Sequence, residues 1–212
     1  MNAKAYQARI NPGGIPDGHC AFCSWNTCLG MKGYPLEEAL EPGSTNSVIV
    51  GKWLYKTFVQ QGRNRIGELN NGEDPSVAHF EQQVKDFLLS QPPGDVFLLT
   101  IDDGTHWFSA QHVGNDVVFI DAQSGVGFNT YEKKVNGNEP VQPDTSITVF
   151  RVTDDVIAEY MRTIQPTLVQ GWKGTAGYQS KKGNKLKQLL TKIKRKLQKF
   201  KKLKQTRPRR RG

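Results

Sequence analysis

Cysteine is scarce in this chain, which has three cysteines among 212 residues, all between positions 20 and 28. Thiols this close together cannot join distant segments, so the sequence is not that of a disulfide-stabilised scaffold. Their crowding at one point of the chain indicates chemistry or redox control instead.

Long apolar runs are also missing. No stretch approaches the roughly 18 apolar residues of a membrane span, and residues 1–7 lack the apolar run of a secretory signal. We therefore expect a soluble protein with no signal peptide or transmembrane segment. Its 212 residues, 36% of them hydrophobic, suffice for one domain with a substantial core.

Acidic residues are absent from the C-terminal end of the chain. Residues 181–212 hold 16 of the 29 lysines and arginines and none of the 20 acidic residues. Residues 1–180 therefore hold 13 basic and 20 acidic residues, a formal charge of −7. The net charge of +9 describes a basic tail on an acidic body and does not by itself indicate nucleic-acid binding.

The tail has a helical apolar pattern. Its apolar residues recur at helical spacing among lysines: Leu186, Leu189, Leu190, Ile193, Leu197, Phe200 and Leu203. We predict a Gly/Pro-containing linker over 165–184 and a basic amphipathic helix with an Arg-rich end over 185–212. Such a helix suits an anionic membrane or a groove-binding partner. Nucleic acid is disfavoured because no aromatic residues interleave with the charges; a disordered solubilising tail is the alternative.

The cysteines follow a segment rich in turn formers. Residues 11–18 are dense in glycine and proline, and residues 20–32 are compatible with a helix that Gly33 ends. Asp17 or His19 is the expected N-cap, which places Cys20 in the first turn. Unpaired backbone N–H groups and the helix dipole favour a thiolate there.

The rest of the body alternates between helical and strand patterns. Helices are predicted over 47–60, 76–90 and 154–164, and strands over 96–101, 105–113, 117–121 and 147–152. The strands form an antiparallel meander. The fold class is α+β, with N-terminal helices packed on an antiparallel sheet.

A tight turn at Gly114-Asn115 sets the register of the central hairpin. It pairs Val113 with Asp116, so that position 108 faces position 121 and position 106 faces position 123. His106 and Asp121 then share one face of the sheet as diagonal neighbours. At roughly 7 to 8 Å between backbones, their side chains are within hydrogen-bonding reach.

Three residues together predict covalent acyl chemistry. The Cys20 thiol can attack a carbonyl, His106 can move the proton, and Asp121 can fix the imidazole tautomer. Trp107 and Gln123 flank the pair and strengthen a catalytic interpretation over a structural one. This chemistry requires no cofactor.

Other interpretations of the cysteines are weaker. A thioredoxin-like pair needs a strand leading directly into Cys20-x-x-Cys23, but Pro-Asp-Gly precedes it. A structural zinc site needs four ligands, and Cys28 lies about 80° around a helix from Cys20, so no metal is predicted. The string Cys23-Ser24-Trp25 also permits Cys23 as nucleophile, with Cys20 favoured because it lies nearer the helix start. His19 either assists ionisation of Cys20 or caps the helix.

The motifs also resemble a known family. The matching residues are Asn11-Pro12-Gly13-Gly14, Cys20-x-x-Cys23, Gly33-Tyr34-Pro35, Glu38-Ala39, His106 and Asp121-x-Gln123-Ser124-Gly125. They are similar to the papain-fold toxin domain of bacterial polymorphic toxins, the Tox-PL family. That family is similar in fold to effector glutamine deamidases. His19 stands where the family usually has Asn.

The resemblance covers roughly residues 9–130 and implies a papain-like cysteine hydrolase fold, and we predict a catalytic domain over 1–164. Cys20 would be the nucleophile, His106 the general base and acid, and Asp121 its orienting residue. Cys23 would form a reversible disulfide with Cys20, and Gln123 would support the site.

By the same resemblance, the expected activity is deamidation of glutamine side chains in a host or competitor protein. The enzyme would be an exported effector or toxin that acts in a target-cell cytoplasm, with a cognate immunity protein as a further partner. A cysteine peptidase, a transglutaminase and a non-enzymatic protein that binds through its basic tail are the alternatives.

Overall fold

The computed structural model describes residues 2–12, 19–36, 45–71, 77–128 and 145–171. Its α-helices are α1 Ala3–Ile10, α2 Cys20–Met31, α3 Thr45–Leu54, α4 Val77–Leu89, α5 Asp154–Thr163 and α6 Gln165–Gly171. Its strands are β1 Arg65–Asn70, β2 Val96–Ile101, β3 His106–Val113, β4 Asp116–Ile120 and β5 Ser146–Arg151. A π-helix, Tyr55–Gln60, continues α3, and a 3-10 turn, Asp102–Gly104, joins β2 to β3. The predicted α+β class is confirmed.

The five strands form one antiparallel sheet in the order β1-β5-β2-β3-β4. The predicted meander of β2, β3 and β4 is present, and Val113 pairs with Asp116 as the Gly114-Asn115 turn requires. Strand β1 was not predicted. It lies at the edge, pairs with β5 alone and is half exposed, so it lacks the apolar pattern that marks the central strands.

Helices cover both faces of the sheet. One buried cluster joins α1, α2, α3 and α5 to Leu98, Trp107 and Ile120. A second cluster joins α4 to Phe97, Phe108 and residues of β4 and β5 on the other face. Because side chains alternate along a strand, neighbouring positions of β3 enter different clusters. His106 and Trp107 therefore lie on opposite faces.

Helix α2, which carries all three cysteines, is deeply buried. Trp25 is fully buried and meets Trp53 at 5.1 Å and Tyr160 at 5.2 Å between ring centroids, both edge to face. Aromatic pairs in this geometry contribute about 0.5–1.5 kcal/mol beyond the burial of their area. They hold α2, and with it Cys20 at its first residue, in a fixed position.

The end of α2 is set by a glycine, as predicted. Gly33 has φ +82°, in the left-handed region that glycine occupies without a Cβ clash. The N–H of Tyr34 then donates to the carbonyl of Leu29 at 2.8 Å, and the N–H of Gly33 donates to Gly30 at 3.0 Å. These bonds satisfy carbonyl groups that the last turn would otherwise leave unpaired.

The turn between β2 and β3 has an uncommon backbone. Asp102, Asp103 and Gly104 all have positive φ, at 42°, 52° and 109°. Left-handed conformations are costly for residues with a Cβ, so other contacts must hold them. One such contact is the Asp102 carboxylate, which accepts a 2.9 Å hydrogen bond from the N–H of Ser146 at the start of β5. This turn fixes the position at which β3 begins.

The C-terminal predictions fall largely outside the described residues. Residues 165–171 form α6, where the sequence predicts linker, and Leu168 packs into the first core cluster. The predicted basic helix and Arg-rich end over 185–212 lie outside the described ranges, so the domain division stays a prediction. Within those ranges, no helix has both the length and the apolarity that crossing a membrane requires.

Candidate active site

Cys20 is the first residue of α2, and its side chain is partly exposed. The carbonyl of His19, the N-cap residue, accepts the N–H of Cys23 at 2.8 Å. The N–H groups of the first turn have no acceptor within the helix and carry the positive end of its dipole. A partly exposed thiol therefore stands beside backbone donors that favour negative charge.

His106 and Asp121 form a buried pair. The Nε2 atom of His106 lies 3.0 Å from Oδ2 of Asp121, and the side chains are 1% and 0% exposed. The hydrogen bond expected between these two side chains is thus present. It fixes which ring nitrogen carries the proton toward the carboxylate and orients the imidazole.

Cys20 lies close enough to the same imidazole to influence it through hydrogen bonding and charge. Because Nε2 faces Asp121, Nδ1 is the ring nitrogen that remains for the thiol. Burial disfavours the charged ring, but hydrogen bonds and charge interactions with Asp121 and Cys20 outweigh burial and raise the pKa of His106 to about 9. The structure therefore brings the three predicted catalytic residues together in the order thiol, imidazole, carboxylate.

A tight turn surrounds the Asp121 carboxylate with donors. Its Oδ1 accepts the N–H of Gln123 at 2.9 Å and the N–H of Ser124 at 3.2 Å. The hydroxyl of Ser124 donates to Oδ2, the oxygen that also faces His106. Sequence reasoning gave Ser124 no role, although it stands in the Asp121-x-Gln123-Ser124-Gly125 motif.

The strand register predicted beyond position 120 is wrong, because this turn replaces the end of the strand. Strand β4 ends at Ile120, and its ladder with β3 ends at the pair Ser109 and Ile120. The pairs predicted between positions 108 and 121 and between 106 and 123 are absent from that ladder. The reason is that Asp121 binds the N–H groups that follow it and forms a bridge with Val126 instead.

Residues of helix α1 and its C-cap stabilise the turn that follows Asp121. The side-chain amides of Gln7 and Asn11 donate to the backbone carbonyl of Gln123 at 3.2 and 3.1 Å. Gln123 thus supports the site through its backbone N–H and carbonyl. Asn11 belongs to the Asn-Pro-Gly-Gly motif, but the sequence did not predict a contact with position 123, and Gln7 was missed.

The buried cysteines differ from Cys20. Cys23 is 0% exposed, and burial, together with the negative charges of Asp121 and Cys20, raises the pKa of its thiol well above the ordinary range. Burial also raises the pKa of Cys28 to about 12, against a hydrogen bond to Ser109 that lowers it. All three cysteines are free thiols, so the disulfide implied between Cys20 and Cys23 is not formed in this structure.

The sequence model of a family described as Shigella glutamine deamidase OspI, and named glutamine amidase-like, matches residues 2–153. This chain belongs to that family. The match includes α1, Cys20, His106 and the turn at Asp121. Among curated proteins, none matches the chain. The finer resemblance to polymorphic toxin domains stays a prediction.

His19 departs from the Asn expected before the first cysteine. Its ring is fully buried, and Nδ1 lies 2.6 Å from the hydroxyl oxygen of Ser47 on α3. Burial lowers the pKa of His19, so the neutral ring is favoured. It makes no side-chain capping bond and serves as N-cap only through its backbone. Asp17, the other candidate cap, lies outside the described residues.

Trp107 has a packing role in this member of the glutamine amidase-like family. Its side chain is 3% exposed and lies in the core cluster that contains α2. Thr100, its partner on β2, donates its hydroxyl to the carbonyl of His106 at 3.1 Å. Within the described ranges, no three histidine, cysteine or acidic residues are grouped as metal ligands would be.

The raised pKa of His106 predicts a pH-dependent contribution to stability. The pKa of a histidine in an unfolded chain is about 6.5, and in the folded protein the pKa of His106 is raised to about 9. Below 6.5 the ring is charged in both states and the stabilisation is complete; between 6.5 and 9 the unfolded chain loses the proton first. The contribution should therefore fall as pH rises through this window, by at most about 1.4 kcal/mol per pH unit.

Urea unfolding at a series of pH values from 5.5 to 9.5 measures this contribution. The control is His106→Gln, which has no titrating ring, and the difference between the two proteins isolates His106. Parallel pH profiles for wild type and variant would contradict a raised His106 pKa.

Proposed function

We propose that this protein is a cysteine-dependent enzyme that deamidates glutamine side chains of a target protein. The observation that carries the proposal is the buried imidazole of His106, which hydrogen-bonds Asp121 and interacts with the partly exposed Cys20 at a helix start. Membership of a family described as a glutamine deamidase supports the choice of substrate group.

The chemistry follows the positions of the three side chains. The Cys20 thiolate attacks the carboxamide carbon of glutamine, and backbone N–H groups at the start of α2 stabilise the oxyanion. His106 gives its proton to the leaving nitrogen, the C–N bond breaks and ammonia departs, which leaves a thioester on Cys20. Water then attacks the thioester while His106 takes a proton from it. The C–S bond breaks, and the products are glutamate and the free thiol.

Asp121 stabilises the charged imidazole and holds it in one orientation, and it does not itself transfer a proton. Cys20 is proposed as the nucleophile over Cys23. Burial together with the nearby negative charges of Asp121 and Cys20 keeps Cys23 protonated, and it is inaccessible to a protein substrate. The arrangement of helix α2 against an antiparallel sheet supports a papain-like fold for the body.

The biological setting is part of the proposal. A protein-glutamine deamidase has a protein substrate in a host or competitor, and we propose an effector or toxin that acts in the cytoplasm of a target cell. An immunity partner and a membrane or groove-binding role for residues 185–212 remain predictions from the sequence.

Two other reactions could use the same triad. A peptidase breaks a backbone amide, and a transglutaminase resolves the thioester with an amine in place of water. Neither the thiol nor the imidazole distinguishes the three reactions, because each passes through a thioester on Cys20.

Intact-mass measurement separates these reactions. A target protein incubated with the enzyme should gain about 1 Da for each deamidated glutamine, because an amide is replaced by an acid. Cleavage would give fragments, and crosslinking would give summed masses. Either of those results would replace deamidation with the corresponding reaction.

A further inference from the structure

Helix α3 and the π-helix that continues it lie beside the residues around Cys20 and beside the turn that precedes His106. Ser47 hydrogen-bonds His19, the residue before Cys20, at 2.6 Å. One turn further along, a Cβ placed on Gly51 would lie 3.8 Å from the Cβ of Ala21, the residue after Cys20. The first turn of α3 and the residues that follow it therefore flank the start of α2.

The other end of this helical segment reaches the β2–β3 turn. The Tyr55 ring lies so close to Gly104 that a Cβ there would be 3.3 and 3.5 Å from two of its carbon atoms. Gly104 has φ +109° and precedes His106 by two residues. Residues 47–55 thus extend from the residues around Cys20 to the turn before His106.

The outward face of this segment is apolar at both ends and charged between them. Val48 is 46% exposed and Tyr55 is 44% exposed, whereas most large hydrophobic residues of the body are buried. Lys52 is exposed between them. The spacing of four and then three residues places all three on one helix face. We name Val48, Lys52 and Tyr55 the α3 face.

Lys52 gives the α3 face a positive charge on a body that is acidic as a whole. Residues 1–180 carry a formal charge of −7, and Lys52 forms no ion pair among the described residues. A cation between two exposed apolar side chains complements a surface that presents an acidic residue beside apolar ones.

We propose that the α3 face docks the substrate protein beside its reactive glutamine. The docked segment presents an acidic residue to Lys52 and apolar side chains to Val48 and Tyr55. Docking there selects which glutamine reaches Cys20 and leaves the bond-making steps unchanged. This inference rests on the proposed deamidase function and adds a specificity surface to it.

The experiment uses the full chain and water enriched in oxygen-18. Soluble proteins of a cultured human cell line serve as the probe, and each deamidated glutamine gains about 3 Da because hydrolysis of the thioester takes its oxygen from water. Site occupancy is followed by peptide mass spectrometry for wild type, Tyr55→Ala and Lys52→Glu. In parallel, the rate of Cys20 alkylation by iodoacetamide reports whether the site itself is intact.

Val113→Ala is the matched control. Val113 is 49% exposed, but it lies at the far end of β3 from His106, about 23 Å away at roughly 3.3 Å per residue. We expect Tyr55→Ala and Lys52→Glu each to slow labelling about tenfold, with Cys20 alkylation unchanged and Val113→Ala like wild type.

Each other outcome has a distinct meaning. Labelling by Tyr55→Ala and Lys52→Glu at the wild-type rate overturns the docking surface and leaves the deamidase intact. An equal loss of labelling and of alkylation also overturns it, because the variants then disturb the site itself. If the wild-type enzyme labels no glutamine, the proposed function fails and the docking surface fails with it.

Discussion

Cys20→Ser is expected to lower the rate of glutamine deamidation by about 10³-fold or more, because the hydroxyl is a far weaker nucleophile than a thiolate. The variant should fold normally, since the side chain is partly exposed and only one atom changes. The rate of ammonia release from a responsive substrate, measured beside urea unfolding, separates loss of chemistry from loss of structure.

Cys23→Ala is the matched control for this experiment. It removes the other thiol of the Cys20-x-x-Cys23 pair from a fully buried position, so its main cost should be to stability. We expect it to retain most of the activity. If Cys23→Ala is inactive and Cys20→Ser is active, the roles of the two cysteines are reversed.

Asp121→Asn should be the second most damaging change. The amide oxygen can still accept the N–H groups of Gln123 and Ser124, so the amide NH₂ would face Nε2 of His106, where the carboxylate now accepts, and the charge that stabilises imidazolium is lost. We expect kcat to fall by about 10² to 10⁴ with a small change in KM, as when the carboxylate of a catalytic triad is neutralised.

The pKa of His106 distinguishes a lost interaction between Asp121 and the imidazole from a general loss of folding. Asp121 is one of the groups that raise the pKa of His106, so a proton NMR titration should show a lower His106 pKa in Asp121→Asn. Asp116→Asn changes an exposed aspartate on the neighbouring strand, which pairs with Lys85, and should leave kcat and the titration unchanged. An unchanged His106 pKa in Asp121→Asn would contradict the assigned role.

The central hairpin and its histidine were predictable because the relevant signals are local. The Gly114-Asn115 turn fixes the register as far as Ile120, and the expected hydrogen bond between His106 and Asp121 is present although the pairing predicted beyond Ile120 is not. The helix start at Cys20 was also predictable, from a turn-rich segment before it and Gly33 after it. These features depend on residues that lie close together in the chain.

The remaining parts of the site depend on contacts that leave no periodic pattern. Gln7 and Asn11 bind a backbone carbonyl more than a hundred residues away, and any residue type offers that carbonyl. Strand β1 lacks strong apolar alternation because it lies at the sheet edge. The meeting of Cys20 with His106 came from chemistry and family resemblance, since no local pattern fixes how α2 packs on β3.

The proposed site is assembled from distant parts of the chain, and the hydrogen bond from Gln7 to Gln123 alone spans 116 positions. A ribosome adds Cys20 long before His106 and Asp121, so the nascent polypeptide carries a cysteine without its general base until the β3–β4 hairpin emerges. Any passage of the unfolded chain through a narrow pore would separate these groups again. The reactive centre would then reassemble only where the whole body refolds.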